Sequence, residues 1–341
     1  MTTTAPLVSL TVCVRDGIDW IEDCMNALIS QSYRPLEIIA VDDGSRDGGT
    51  EILQSWEGEH EGISVTVLTQ PATGLSAGRN LALQAAKGEW VAITDIDCRP
   101  DSYWIEEMMR VSEGIGGEHV LAVTGRTIFD RGNTPIGKIR ARSIASKYSS
   151  RPRIASLANG PCSMFDRESL LEIGGFDPSW YHAEDMEVSL RLIATGGVII
   201  HTPAAVVHHV AESSLRLFLR KRHRDARAHM RIVRLYGRHG VRKPDGSLHR
   251  HDFVGDAENV LMMLPLAFIG LGASIALSFV LPLFSPPWYI VVSTGGFWLI
   301  LISLRWRRLL WSASLWLGAM RGCVDAILGD HGHPPLLGRK K

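Results

Sequence analysis

Through the N-terminal third of the chain, short apolar runs alternate with amphipathic stretches, and most runs end in a polar or acidic cluster. Residues 8–14 are strand-like and give way to the turn Arg15-Asp16-Gly17. Residues 18–31 then place Ile21, Met25, Leu28 and Ile29 at helical spacing. Residues 37–41 form a second apolar run that ends in Asp42-Asp43-Gly44-Ser45. Residues 50–56 read as a helix, 64–68 as a strand, 76–87 as a helix and 90–94 as a strand running into Asp95-Ile96-Asp97. Strands so spaced, with helices between them, predict an α/β fold with a mostly parallel sheet. Ligands of such sheets bind beyond the C-terminal strand ends, where these acidic clusters fall. Further along, residues 121–124 and 198–201 are expected strands and 184–195 an expected helix. Residues 126–153, rich in Gly, Arg and Ser, are expected to form an irregular, mobile loop.

The character changes past residue 256. Residues 260–284 carry no charge, a run long enough to cross a hydrocarbon core of roughly 30 Å. Ser285-Pro286-Pro287 breaks the run, and residues 288–304 are again uncharged. Soluble core helices usually keep one wet face, so two membrane spans are expected. Positive charge before the first and after the second places both outer ends on the cytosolic side. A third apolar stretch, 309–328, follows Arg305-Trp306-Arg307-Arg308 and contains Arg321 and Asp325. It is expected to lie in the membrane interface, with a third span as the alternative.

The 36 basic and 36 acidic residues cancel overall, yet residues 216–250 hold twelve Lys/Arg against two Asp/Glu. An acidic body thus carries one basic segment suited to phosphate or anionic lipid. The segment has few interleaved aromatics, which argues against nucleic acid. The five cysteines form no CxxC pair, so neither a disulfide framework nor a zinc site is indicated. The first residues show no basic-then-apolar signal peptide, and the bulk of the protein is expected in the cytosol.

Three acidic clusters and one glycine-rich turn carry the candidate chemistry. Asp42 and Asp43 sit at a strand end, where carboxylates either accept hydrogen bonds from a base or ribose or simply brace a turn. Asp95 and Asp97, also at a strand end, offer hard oxygen ligands for Mg²⁺ or Mn²⁺; solvated turn carboxylates look the same in sequence. Glu184-Asp185 opens a helix, as a base or as N-terminal charge favouring the dipole. Between the first two clusters lies Gly74-Leu75-Ser76-Ala77-Gly78-Arg79-Asn80, where Arg79 could pair with a phosphate or a base.

In this order the motifs resemble the family 2 glycosyltransferases, which have the GT-A fold. The resemblance runs from Val8 to His209. It rests on Ile38-Ile39-Ala40-Val41-Asp42-Asp43-Gly44-Ser45, on 74–80, on the DxD-like Thr94-Asp95-Ile96-Asp97, and on Gly174-Gly175-Phe176-Asp177 followed by Glu184-Asp185. It implies a GT-A catalytic domain over 1–214, a basic interfacial linker over 215–257, a membrane region over 258–330 and a basic tail over 331–341. It implies that Asp42, Asp43, Arg79 and Asp95 bind a nucleotide-sugar donor. Asp97 and Asp95, with His209 (or His208), would hold Mg²⁺ or Mn²⁺. Asp185, beside Glu184, would be the general base of an inverting transfer to a polyprenyl-phosphate-linked or saccharide acceptor at the cytosolic face of the cell membrane. The chain departs from the family in having Asp16 after the first strand, where Asn is usual. It also lacks the Gln-Arg-Trp signature of processive synthases: Leu219-Arg220-Lys221-Arg222-His223-Arg224-Asp225 stands there. The competing readings are a catalytically inactive membrane scaffold of the same fold and a nucleotidyltransferase. The latter needs a lysine-containing glycine loop that residues 8–17 do not provide.

Overall fold

The computed structural model of the chain describes residues 5–180, 182–237, 239–250, 258–280 and 287–329; the side chains of 258, 277–280, 287–297 and 299–302 fall outside this description. The described residues of Met1–Ser213 and Arg231–Phe253 make up one compact unit, and those of Ser214–Met230 and Val254–Gly329 a second.

In the first unit the elements follow in the order β1 (Val8–Val14), α1 (Ile21–Ile29), β2 (Leu36–Asp42), α2 (Gly49–Gln54), β3 (Gly58–His60), β4 (Ile63–Thr69), α3 (Leu75–Ala85), β5 (Trp90–Asp95) and β6 (Cys98–Pro100). Next come α4 (Trp104–Ser112), β7 (Val120–Phe129), α5 (Pro135–Ser149), β8 (Ile154–Ala155), β9 (Ser163–Asp166), α6 (Arg167–Glu172), α7 (Glu184–Ala194) and β10 (Val198–His209). The sheet order is β3-β4-β2-β1-β5-β9-β7-β10-β6, with β8 pairing on β10. β4, β2, β1 and β5 are parallel neighbours, and β7 and β10 run parallel to each other. β9 is antiparallel to both β5 and β7 and joins the two parallel sets. The mixed but mostly parallel α/β sheet anticipated from the alternation is thus observed.

The physical reason is visible in β2, whose seven residues Leu-Glu-Ile-Ile-Ala-Val-Asp are all buried. Only a strand covered on both faces by helices reads this way. Successive residues serve opposite cores. Ile38 and Ala40 pack with α1 and α4, and Ile39 and Val41 with α3 and α7. On α1 the buried positions Ile21, Cys24, Met25, Leu28 and Ile29 form one apolar stripe. Each fully buried aliphatic side chain contributes about 1.5–3 kcal/mol. This packing fixes the strand ends Val14, Asp42, Asp95, Phe129 and His209 along one edge of the sheet.

Residues 126–153, expected to be a loop, are the end of β7 and the helix α5. The start of α5 follows ordinary capping rules. Thr134 is the N-cap and accepts from the Gly137 amide at 3.0 Å, and Pro135 occupies the first turn. Its many Arg and Ser residues obscure the apolar stripe of Ile136, Ala141 and Ile144, which is buried.

The helix α8 (Leu215–Tyr236) runs from residues of the second unit into residues of the first. The described residues of the expected linker 215–257 are divided between the two units. In the second unit α9 (Glu258–Leu261), α10 (Met263–Val280) and α11 (Pro287–Leu328) follow. α11 is one 42-residue helix, so residues 288–304 and 309–328 are not separate helices. Arg305–Arg308 do not break it, because Arg is a good helix former and no Pro or Gly lies among them. α8 and α11 approach closely. Ser314 Oγ donates to the Leu219 carbonyl at 2.6 Å, and a Cβ on Gly318 would lie 2.2 Å from the His223 carbonyl oxygen. Phe218 meets Trp311 edge-on, and Asp325 pairs with Arg227 and Arg321.

Among the described residues one helical stretch, Asn259–Ala276, is long and apolar enough to cross a membrane. Leu266, Phe268, Ile269, Leu271 and Ile275 on it are exposed. Of the two spans expected from sequence, 260–284 overlaps this stretch, and most side chains of 288–304 lie outside the described residues. The break at 285–287 lies largely outside the described residues, as does the basic tail.

Candidate active site

The acidic clusters meet at the C-terminal edge of the sheet, each in a different setting. Asp42 closes β2 and is buried. Its Oδ1 accepts from the Ser45 amide at 3.2 Å and its Oδ2 from Thr50 Oγ1 at 3.0 Å. Asp43, also buried, accepts at Oδ1 from Gln70 Nε2 and the Thr73 amide, both at 2.7 Å, and at Oδ2 from the Gly74 amide at 3.0 Å. The Arg15 guanidinium stands 3.7 Å away. Both carboxylates therefore brace the turns after β2 and β4. Asp16 joins them: its φ of +52° lies in the left-handed region that Asp tolerates, and its Oδ1 accepts from the Arg46 amide at 2.8 Å.

Arg79 lies on α3 with a side chain only 2% exposed. Its Nη1 donates to Glu184 Oε1 at 2.7 Å and its Nη2 to Asp95 Oδ1 at 3.1 Å. The guanidinium also lies over the Phe176 ring, 5.4 Å from its centroid. One cation thus ties the glycine-rich turn to two of the acidic clusters. Burial works against its charge, but Glu184 and Asp95 outweigh that and raise its pKa. Burial pushes Glu184 above the usual carboxylate range; Arg79 pulls against this, and the neighbouring Asp185 adds to it.

Asp185 is partly exposed at the start of α7. Its Oδ2 accepts from the Gly160 amide at 3.2 Å and its Oδ1 from the Met186 amide at 2.8 Å. Ala183, the N-cap of α7, has φ +62°. A left-handed alanine stores strain of roughly 1–3 kcal/mol that the surroundings must hold. Upstream of it, residues 173–180 are anchored by several bonds. Asn80 clasps Phe176 at both its amide (2.8 Å) and its carbonyl (2.7 Å). Ser76 Oγ donates to the Trp180 carbonyl at 3.1 Å. Arg191 donates to the carbonyls of Ile173 and Gly175, both at 2.7 Å.

Asp97 sits in the turn between β5 and β6. Its side chain reaches His209 at the end of β10, whereas that of Asp95 reaches Arg79. Asp97 Oδ2 and His209 Nε2 are 3.4 Å apart. His209 Nδ1 lies 2.9 Å from the Val210 carbonyl, which can only accept, so Nδ1 donates there. Phe129 stacks on the ring at 4.1 Å. With Cys98, these residues offer ligand atoms all within 4.8 Å of one another. This donor set fits a divalent cation, with the imidazole tautomer fixed by a backbone acceptor as metal-binding histidines require. His208 turns elsewhere, to Asp101 at 3.2 Å.

Of the eight residues marked in the sequence, the fold brings six into two groups, Arg79 with Asp95, Glu184 and Asp185, and Asp97 with His209; Asp42 and Asp43 instead brace the turns after β2 and β4. Three contributors lacked a sequence signal. Gly160 reaches Asp185 only through the fold, Cys98 was discounted for want of a CxxC partner, and Asn80 was visible only as the end of the glycine-rich turn.

The glycosyl transferase family 2 model matches residues 9–174, and that of glycosyl transferase family group 2 matches residues 114–320. Glycosyltransferase AglE of Haloferax volcanii is 31% identical over 118 residues, which are 34% of this chain and 38% of that protein. The putative teichuronic acid biosynthesis glycosyltransferase TuaG of Bacillus subtilis is 33% identical over 138 residues, 40% of this chain and 54% of that one. The chain therefore spans only about two fifths to one half of these relatives. Mannosyltransferase PcManGT from Pyrobaculum calidifontis, solved in complex with GDP-Man and Mn²⁺, superposes with a TM-score of 0.65 at 21% identity, over 95% of this chain and 88% of that one. At that identity the likeness establishes a shared GT-A-like fold. The second family match covers well over half of the chain, and the chain belongs to glycosyl transferase family group 2.

Proposed function

We propose that this chain is an inverting glycosyltransferase that moves a sugar from a nucleotide-sugar donor to an acceptor hydroxyl. The observation that carries the reading is the placement of Asp185. It is a partly exposed carboxylate, held by two backbone amides beside the buried Arg79–Glu184 pair, on the same sheet edge as Asp97 and His209. Asp185 takes the proton from the acceptor oxygen. Glu184, locked to Arg79, fixes the start of α7 so that Asp185 faces the acceptor. Arg79 in turn keeps Asp95 in place. Asp42 and Asp43 hold the turns against which the nucleotide rests. Asp97 and His209 would hold Mg²⁺ or Mn²⁺, which supplies positive charge against the diphosphate leaving group.

The acceptor is membrane-held, as a lipid-linked or growing saccharide at the cytosolic face. Two features support this: the exposed apolar face of α10 and the basic run 216–250. Each Lys or Arg near an anionic bilayer surface contributes about 1 kcal/mol.

The test is a screen of UDP-, GDP- and dTDP-sugars on detergent-purified protein with Mn²⁺, read as binding and slow hydrolysis. Asp97→Ala is expected to lose metal-dependent donor binding. Asp185→Asn is expected to keep binding and lose turnover by about 100-fold or more, the usual contribution of a general base. No binding by the unaltered protein under any metal condition overturns the reading in favour of an inactive scaffold.

A further inference from the structure

One charged region of the first unit takes no part in the site described above. Residues 131–165 hold seven Lys/Arg and no Asp/Glu. They include α5, which packs on β7, the strand that carries Arg126. Elsewhere in this unit Arg79, Arg99, Arg153 and Arg191 each meet a carboxylate. Arg126 and Arg151 meet none among the described residues. Arg126 is half-buried, its Nε is shut off from solvent, and its guanidinium makes no hydrogen bond or ion pair with any described residue. Arg151, also half-buried, donates from Nη2 to the Leu157 carbonyl at 2.6 Å, while its Nη1 is buried and unpartnered.

His201 completes the cluster. It is 5% exposed, and its Nε2 is buried without a hydrogen-bond partner among the described residues. The Tyr148 ring stacks on it at 6.0 Å, and the Arg151 guanidinium lies 5.6 Å from the Tyr148 centroid. Tyr148 Oη is 3.5 Å from Thr127 Oγ1, too far for a strong bond. Burial, and then the charges of Arg151 and Arg126, lower the His201 pKa, which puts both guanidiniums near the ring. Like charges half-withdrawn from water are costly, and folded proteins ordinarily pair them. This cluster instead offers donors without acceptors, among them two planar forks that match phosphate oxygens. His201 Nε2 suits the same ligand in either state: as a lone pair it accepts from a P–OH, and as an N–H it donates to a P–O⁻.

The cluster also adjoins the carboxylate proposed as general base. Thr127 Oγ1 bonds Asn159 Oδ1 at 3.2 Å, and the next residue, Gly160, donates its amide to Asp185 at 3.2 Å. Arg126-Thr127 and Asp185 thus flank the same two residues.

We propose that Arg126, Arg151, Tyr148 and His201 form a binding site for a phosphate group, separate from the place of the donor's diphosphate. Its position beside Asp185 makes a phosphorylated acceptor the expected source, a point that rests on the function proposed above. A phosphate ion from solution is the other source of the same chemistry.

The experiment is a calorimetric titration of the full, detergent-purified chain with inorganic phosphate, farnesyl phosphate and farnesol, which needs neither donor nor turnover. One farnesyl phosphate should bind per chain, at least tenfold tighter than farnesol. Arg126→Gln and Arg151→Gln should each weaken it about 10–100-fold, as expected for hydrogen bonds to a charged group. Arg142→Gln, which removes an exposed cation of the same stretch, should stay within about twofold. If farnesyl phosphate competes with inorganic phosphate and binds at least tenfold tighter, the acceptor is the source; equal affinities assign the site to the ion from solution. A second readout separates a ligand site from a structural one. Arg126 has no partner to lose, so Arg126→Gln should melt no lower than wild type, and phosphate should raise the melting temperature of wild type but not of the variant.

Absence of binding by both phosphate probes, or binding unchanged in both arginine variants, overturns the inference and leaves the transferase reading untouched. A clearly lower melting temperature for Arg126→Gln, or loss of its nucleotide-sugar binding, also overturns it, by giving the arginine to the fold or to the donor. If no nucleotide sugar binds the unaltered chain while phosphate binding still depends on Arg126, the transferase reading fails and the phosphate site stands.

Discussion

Replacing Arg79 with Met removes the one cation between Asp95 and Glu184 while nearly preserving volume. At an effective dielectric of about 20, two unit charges about 4 Å apart attract by about 4 kcal/mol. Arg79 makes two such contacts, at 2.7 and 3.1 Å, but the losses are unequal. The Asp95 side chain is about one-third exposed and is resolvated. Glu184 is buried and escapes its penalty by taking a proton. From an ordinary value of 4.5, protonation at pH 7 costs about 3.4 kcal/mol at 1.36 kcal/mol per pH unit, which caps the Glu184 share. The expected total is about 3–5 kcal/mol, as for other broken buried pairs. At roughly 2–4 °C per kcal/mol for a unit of this size, the catalytic unit should melt about 6–20 °C lower.

The pH dependence follows with a definite sign. Glu184 already has a raised pKa in the folded state through burial, and losing Arg79 raises it further. A raised carboxyl contributes stability that is present below its unfolded pKa and lost as pH rises through its folded pKa. The Met variant should therefore approach wild type near pH 4.5 and diverge as pH rises toward neutrality. Thermal melts by circular dichroism at several pH values read this directly. A shift under about 2 °C, or one that does not change with pH, refutes the reasoning.

Three further outcomes are expected. Gly175 has φ +70°, and a Cβ there would lie 2.5 Å from Asn80 Oδ1. Gly175→Ala should cost about 1–3 kcal/mol, visible as a lowered melting temperature. Gly174→Ala, also at positive φ but with open space around it, should cost less, and equal costs would refute the role of the Asn80 contact. His201 has a pKa lowered from 6.5 to about 4, first by burial and then by Arg151 and Arg126. A histidine lowered in this way costs stability as pH falls from 6.5 toward 4, because the unfolded chain binds the extra proton. His201→Gln should flatten that part of the stability profile, and an unchanged slope in urea melts across this range would count against it. Gly318→Val should disrupt the α8–α11 approach and speed proteolysis within the second unit, while Ser314→Ala, which loses one hydrogen bond, should change little.

The sequence by itself determined the catalytic sheet, because that information is local. The run 37–41 reads as a strand, and the stripe at Ile21, Met25, Leu28 and Ile29 reads as a helix packed on one side. Turn chemistry after each strand then places Asp42, Asp43, Asp95 and Asp97 at the C-terminal edge of the sheet. Helix α5 escaped this reading because its polar residues hid a short buried stripe. The continuity of α11 escaped because apolar runs locate candidate spans, whereas helix ends need a breaker that Arg305–Arg308 do not contain.

Only the tertiary structure decided who partners whom. Asp95 and Asp97 are two positions apart in the chain, yet one turns to Arg79 on α3 and the other to His209 at the far end of β10. The β6–β10 register set Cys98 beside His209, and the fold carried Gly160 to Asp185. Such pairings come from packing whole helices onto a sheet. Their distances depend on contacts between residues tens of positions apart, which no local pattern encodes.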